Sequence, residues 1–92
     1  MTWAVYETNR FKRAYKRLSP AAVRAVDSAI EKIAADPSVG TKKNGDLARL
    51  YVYKFRHEGQ LYLLGYVKNN EIKVIYLESI GSHENFYKNL KN

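Results

Sequence analysis

The spacing of apolar positions changes twice along this chain, and each change marks a new kind of element. Trp3, Ala4, Val5 and Tyr6 form a short apolar run suited to a first strand. From Thr8, a candidate N-cap, Phe11, Tyr15 and Leu18 recur at helical spacing, while Arg10, Lys12, Arg13, Lys16 and Arg17 cover the remaining surface. Ser19-Pro20 ends that helix and starts another. A serine oxygen can accept from the first free N–H groups, and proline at the first helical position gives up only a donor that has no intrahelical partner. Val23, Val26, Ile30 and Ile33 then recur at intervals of three and four, which predicts a helix face packed on a sheet. This helix runs to about Ala35, before Asp36-Pro37 stops it.

A loop from Ser38 to Asp46, with two glycines and two lysines, separates the helices from segments of extended period. Leu50 to Arg56, Gln60 to Lys68 and Ile72 to Ile80 are divided by the turn signals His57-Glu58-Gly59 and Asn69-Asn70, which predicts an antiparallel meander of three strands. Glu84 to Leu90 predicts a short closing helix with Ser82 as its cap. The expected fold is α+β: an N-terminal strand, then a helical hairpin on one face of a twisted antiparallel sheet, whose other face stays open. No repeat or linker interrupts residues 1–92, so they form a single domain with one modest core.

Composition then removes several functions. The chain has no cysteine, so it can form neither disulfides nor thiolate metal sites, and a reducing compartment suits it. His57 and His83 lie far apart without ligand-like spacing, so neither a metal nor a cofactor is expected. No apolar run approaches the roughly 18 residues of a membrane span, and a cytoplasmic location away from membranes is expected. Sixteen Lys and Arg against nine Asp and Glu leave a formal charge of +7, which suits nucleic acid or an acidic protein as partner.

Strand alternation places the candidate chemistry. Tyr51, Tyr53 and Phe55 share one face of the first meander strand, and Val52, Lys54 and Arg56 share the other. With the aromatic face against the helices, Lys54 and Arg56 project from the open face about 7 Å apart, close enough for one phosphate or two adjacent ones. An ordinary solvated strand would look the same. Lys42, Lys43 and Arg49 lie just upstream and could extend the patch. His83 follows the last strand, with Tyr87 four residues on. Imidazole has the side-chain pKa closest to neutrality, so a histidine there can hold or release a proton, although a polar cap on a docked helix fits the same spacing. His57 is assigned to the hairpin turn. Of the tyrosines, Tyr62 and Tyr87 are candidate stacking surfaces and the others core or sheet aromatics.

The element order, the Asp36-Pro37 stop, the Lys/Gly loop, Leu50-Tyr51-Val52-Tyr53-Lys54-Phe55-Arg56 before a Gly turn, and the closing Ile80-Gly81-Ser82-His83-Glu84-Asn85-Phe86-Tyr87 together resemble the RelE/ParE superfamily of bacterial type II toxins. The likeness covers nearly the whole chain. It implies an acidic antitoxin as partner, which the charge of +7 suits independently. RelE-like members cut messenger RNA on the ribosome, whereas ParE-like members inhibit DNA gyrase and cut nothing. For the ribonuclease branch the resemblance implies metal-independent attack of a ribose 2′-hydroxyl on the adjacent phosphate. Lys54 and Arg56 would then serve as catalytic cations, His83 as acid or base, and Tyr87 as the group that orients or stacks on the nucleotide. Lys42, Lys43, Arg49 and Tyr62 would make further RNA contacts. Two positions depart from RelE, since Val52 stands where it has a second lysine and Gln60-Leu61-Tyr62 replaces a Tyr-Arg pair. The expected function is a ribosome-dependent mRNA endoribonuclease toxin. The alternatives are a ParE-like gyrase inhibitor and a basic nucleic-acid-binding module.

Overall fold

The computed structural model describes residues 2–45 and 49–90. The chain runs through β1 (Ala4–Glu7), α1 (Asn9–Lys16), α2 (Pro20–Ala35), a 3₁₀ turn (Pro37–Val39), β2 (Thr41–Lys42), β3 (Tyr51–His57), β4 (Gln60–Asn69), β5 (Val74–Ser82) and α3 (His83–Leu90). Asp46, the expected end of the loop before the meander, lies outside the described residues.

Local chemistry sets the helix starts as expected. The Thr8 side chain accepts from the Phe11 N–H at 3.2 Å and donates to the Leu77 carbonyl at 3.0 Å, so one residue both caps α1 and ties it to β5. Ser19 accepts from the Ala22 N–H at 3.2 Å, with Pro20 in the first helical turn. Between the helices, the Tyr15 hydroxyl donates to Asp27 at 2.6 Å.

The sheet has five strands in the order β1-β5-β4-β3-β2. β3, β4 and β5 form the expected antiparallel meander. β1, however, lies parallel to β5 at one edge, so the sheet is mixed rather than wholly antiparallel. A helical hairpin follows β1, and a crossover of that length frees it from the antiparallel pairing that a tight turn imposes. β5 begins at Val74 rather than Ile72, because the Asn69 side chain accepts from the N–H groups of Glu71 and Ile72 at 3.0 and 3.2 Å and prolongs the turn. Ser82, expected as a helix cap, is the last residue of β5, and its Oγ accepts from the Asn85 side-chain amide at 3.2 Å.

The main core lies between the helical hairpin and the sheet. Phe11, Val26, Ala29 and Ile33 pack on Leu64, Tyr66, Ile75, Leu77 and Ile80, flanked by Tyr51, Tyr53 and Phe55. The packed face of α2 is rotated from the expected one. Val26 and Ile33 are fully buried, but Val23 and Ile30 are only half-buried, while Ala22 and Ala29 face inward. The small alanines let the helix lie close to the sheet.

The opposite face is not left open, which corrects the expectation for it. Phe86 of α3 is fully buried against Leu50, Val52 and Leu63, with Leu61 and Tyr87 at the margin. These residues form an apolar stripe whose burial is favourable at roughly 25 cal/mol per Å². Gly65 provides the seat, since a Cβ there would come within 2.7 Å of the Phe86 ring.

Candidate functional site

The pairing register gathers the candidate residues on the face that carries α3. Val52, Lys54 and Arg56 alternate outward from β3, opposite Gly65, Leu63 and Leu61 of β4. Leu63 in turn pairs with Gly81 of β5. The pairing of β4 with β5 ends at Tyr62 and Ser82, and His83 follows as the first residue of α3.

A β-bulge decides on which face this happens. Gly65 pairs with Ser79 and Tyr66 with Leu77, so Glu78 is an extra residue on β5. Before the bulge Ile75 and Leu77 face the helical hairpin; after it Ile80 does, and Gly81 lies against α3. Without the extra residue, alternation would turn Gly81 toward the hairpin side, away from α3. The Thr8 hydroxyl lies against the bulge, 3.0 Å from the Leu77 carbonyl and 3.4 Å from that of Glu78.

Lys54, Arg56 and His83 are exposed. Arg56 Nη1 reaches the Gly59 carbonyl at 3.5 Å, at the limit of a hydrogen bond, so its guanidinium leans toward the hairpin turn. Tyr87 lies one helical turn beyond His83, edge-on to Phe86 with ring centroids 5.0 Å apart. The Lys43 ammonium sits 5.6 Å from the Tyr87 ring centroid, within cation–π range.

The remaining expected contacts divide between the two sides of the sheet. Lys42 pairs with Tyr51 and faces the hairpin side, where it shares a shallow cleft with Arg49 and Lys68; Lys43 faces Tyr87. Lys42 closes β2 and Lys43 follows it, its N–H donating to the Leu50 carbonyl at 2.9 Å, so adjacent lysines reach opposite faces. Tyr62 also lies on the hairpin side, its ring 5.7 Å from that of Phe55 and 6.3 Å from that of His57. It does not join Lys54. His57 ends β3 with Nε2 buried and without a hydrogen-bond partner, 3.9 Å from the Glu58 carboxylate.

Several supporting residues escaped the sequence reading. Tyr66 is buried, donating to the Pro37 carbonyl at 2.6 Å and accepting from the Gly40 N–H at 3.0 Å, which holds the segment leading into β2 and its lysines. Burial pushes its phenol pKa up. A Cβ on Gly40 would collide with the Tyr66 hydroxyl. Val52, and Leu61 from the Gln60-Leu61-Tyr62 stretch, belong to the apolar seat of α3. Among the described residues, no group of three or more His, Cys, Asp or Glu side chains gathers as metal ligands do. No described helix is long and apolar enough to cross a membrane.

Solved structures share this arrangement of elements. The RelBE2 toxin–antitoxin complex of Mycobacterium tuberculosis superposes with a TM-score of 0.77 at 21% identity, covering 90% of this chain and 100% of that one. An Escherichia coli RelE toxin with two arginines changed to alanine, in the free state, gives 0.73 at 20% identity, over 91% and 86% of the two chains. The RelE–RelB complex of Pyrococcus horikoshii gives 0.63 at 21% identity, over 89% and 96%. At such identities the likeness establishes the RelE-like fold. No curated protein sequence matches the chain. A family model does match, over residues 5–91, and by that match the chain belongs to the ParE-like toxins of type II bacterial toxin–antitoxin systems.

Proposed function

We propose that this toxin is a metal-independent mRNA endoribonuclease acting on the ribosome in the cytoplasm. The observation that supports this reading best is the shared face: Lys54 and Arg56 project from β3 onto the side where α3 begins with His83 and carries Tyr87 one turn later. In the reaction a ribose 2′-oxygen attacks the adjacent phosphorus as its proton passes to a base. The phosphorus–5′-oxygen bond then breaks and a 2′,3′-cyclic phosphate is left. Lys54 and Arg56 stabilise the charge that builds on the phosphorane, and His83 gives a proton to the departing 5′-oxygen. Tyr87 orients or stacks on the nucleotide, and Lys43 beside it extends the cationic track.

The loss of two cations relative to RelE has a physical counterpart. Val52 and Leu61 hold Phe86, and that contact fixes the helix on which His83 and Tyr87 stand. A charged residue at Val52, which is 1% exposed, would be buried without a partner. The partner is an acidic antitoxin, consistent with the charge of +7 and with the toxin–antitoxin complexes among the structural relatives.

Single-turnover cleavage on programmed ribosomes tests the reading. His83→Gln should retain RNA binding and slow cleavage by roughly 10²- to 10⁴-fold, the usual range for general acid–base catalysis. The wild-type rate should follow a titration that the variant lacks. Equal rates would remove His83 from the chemistry, and intact message after exposure to wild type would favour a toxin that binds its target without cutting, as a gyrase inhibitor does.

A further inference from the structure

A cavity of about 390 Å³ opens where the end of α1 meets the junction of β5 and α3, on the sheet side opposite Lys54. We propose that it is a subsite for one nucleotide of single-stranded RNA, adjoining the bond on which His83 acts; the proposal rests on the ribonuclease reading above.

The size and lining suit a nucleotide. Sites for small ligands usually enclose about 300–1,000 Å³ and combine an apolar floor with a few converging polar groups. Here the floor is Leu18 and Ile80, and the Tyr62 ring offers an aromatic surface. Gln60 brings an amide with donors and an acceptor, the pairing a nucleobase edge requires; Asn85, one of whose amide protons is given to Ser82 Oγ, keeps its second N–H and its carbonyl, and the Ser82 hydroxyl proton stays available to donate. Arg17 supplies a planar guanidinium for a phosphate, and it is exposed at the rim. A base, a ring to stack on and a phosphate are therefore each matched within one cavity.

Location selects RNA over an unrelated small molecule. Ser82 lines the cavity and His83 is the next residue, so the cavity and the Lys54 face meet at one end of the sheet. A strand of RNA crossing that end at His83 would present neighbouring nucleotides to opposite sides of the sheet. The approach is basic as well, since Arg13 and Lys16 of α1 and Arg17 just beyond it are exposed. Tyr62, which does not join Lys54, acquires a role here.

Nuclear magnetic resonance on the ¹⁵N-labelled full chain tests this directly, by titration with the four ribonucleoside 5′-monophosphates and, separately, inorganic phosphate. At least one nucleotide should shift the side-chain amide signals of Gln60 and Asn85 saturably, while phosphate leaves Gln60 unmoved. Arg17→Gln should weaken that nucleotide at least fivefold and Arg17→Lys less, with the backbone spectrum unchanged because Arg17 is exposed. Shifts confined to the Lys54 face, no saturable shift, or equal shifts with phosphate alone would overturn the subsite. Ribosome cleavage by the wild type is scored separately. If the enzyme cuts but its cavity ignores all four nucleotides, only the subsite falls. A chain that cuts nothing overturns the ribonuclease reading whatever the titration shows.

Discussion

The two faces of the sheet are covered by very different means. On one, α1 and α2 press Phe11, Val26, Ala29 and Ile33 onto three strands in one continuous core. On the other, the fully buried ring of Phe86 seats α3 on Leu50, Val52 and Leu63, and among the described side chains of α3 no other is buried. The first face holds the larger buried cluster. The second carries Lys54, Arg56, His83 and Tyr87, so the proposed chemistry sits where packing is thinnest. This division makes α3 the element most easily separated from the rest.

Substitutions at the two anchors should expose the contrast most strongly. Ile33→Ala leaves a cavity in the continuous core and should lower global stability by about 2–5 kcal/mol in denaturant titrations. Phe86→Ala would cost about 3–5 kcal/mol if the whole molecule felt it. The expected outcome is instead local: amide exchange should lose protection in α3 while β4 and β5 remain protected. Equal loss in all three elements would show that the two faces form one cooperative unit.

Tyr66→Phe comes next. It removes the hydroxyl that pairs with Pro37 and Gly40, leaving buried groups unsatisfied, and should cost about 1–3 kcal/mol. Exchange at Gly40 should quicken while α3 is unaffected, since the latch belongs to the hairpin side.

Alkaline pH offers a milder probe of the same side. The hydrogen bond to Asp27, with burial adding to it, raises the Tyr15 pKa from 10.0 to about 12. Because the folded-state pKa is the higher one, the contribution is complete below pH 10 and is lost as pH rises toward about 12. Burial shifts Tyr66 in the same direction. Stability measured across this window should therefore fall, and less steeply in Tyr15→Phe. An unchanged slope in that variant would remove the Tyr15–Asp27 contact as the cause.

The smallest effect on stability is expected at the proposed site itself. Lys54→Ala should stay within about 0.5 kcal/mol of wild type, as surface charge changes usually do, while RNA cleavage falls sharply. A large drop in the unfolding midpoint, with activity lost only in proportion, would make Lys54 structural and blur the division between the faces.

Much of this was legible in the sequence because it depends on neighbours in the chain. Thr8 and Ser19-Pro20 start the helices through hydrogen bonds spanning three residues, and alternation in Tyr51 to Arg56 sorts aromatics from cations without reference to any other strand. The α+β order and the family likeness follow from such local signals. Other features have no local signal. Two residues, Thr41 and Lys42, are too few to show a strand period, so the division of Lys42 from Lys43 was hidden. The seat for Phe86 joins residues from β3, β4 and α3, and Gly65 shows its purpose only once that ring lies over it. Above all, the bulge at Glu78 exists only as a mismatch between β4 and β5. The sequence by itself determined that a histidine follows the last strand; the tertiary structure decided on which face the end of that strand meets its helix, because one extra residue reverses the alternation and only strand pairing reveals it.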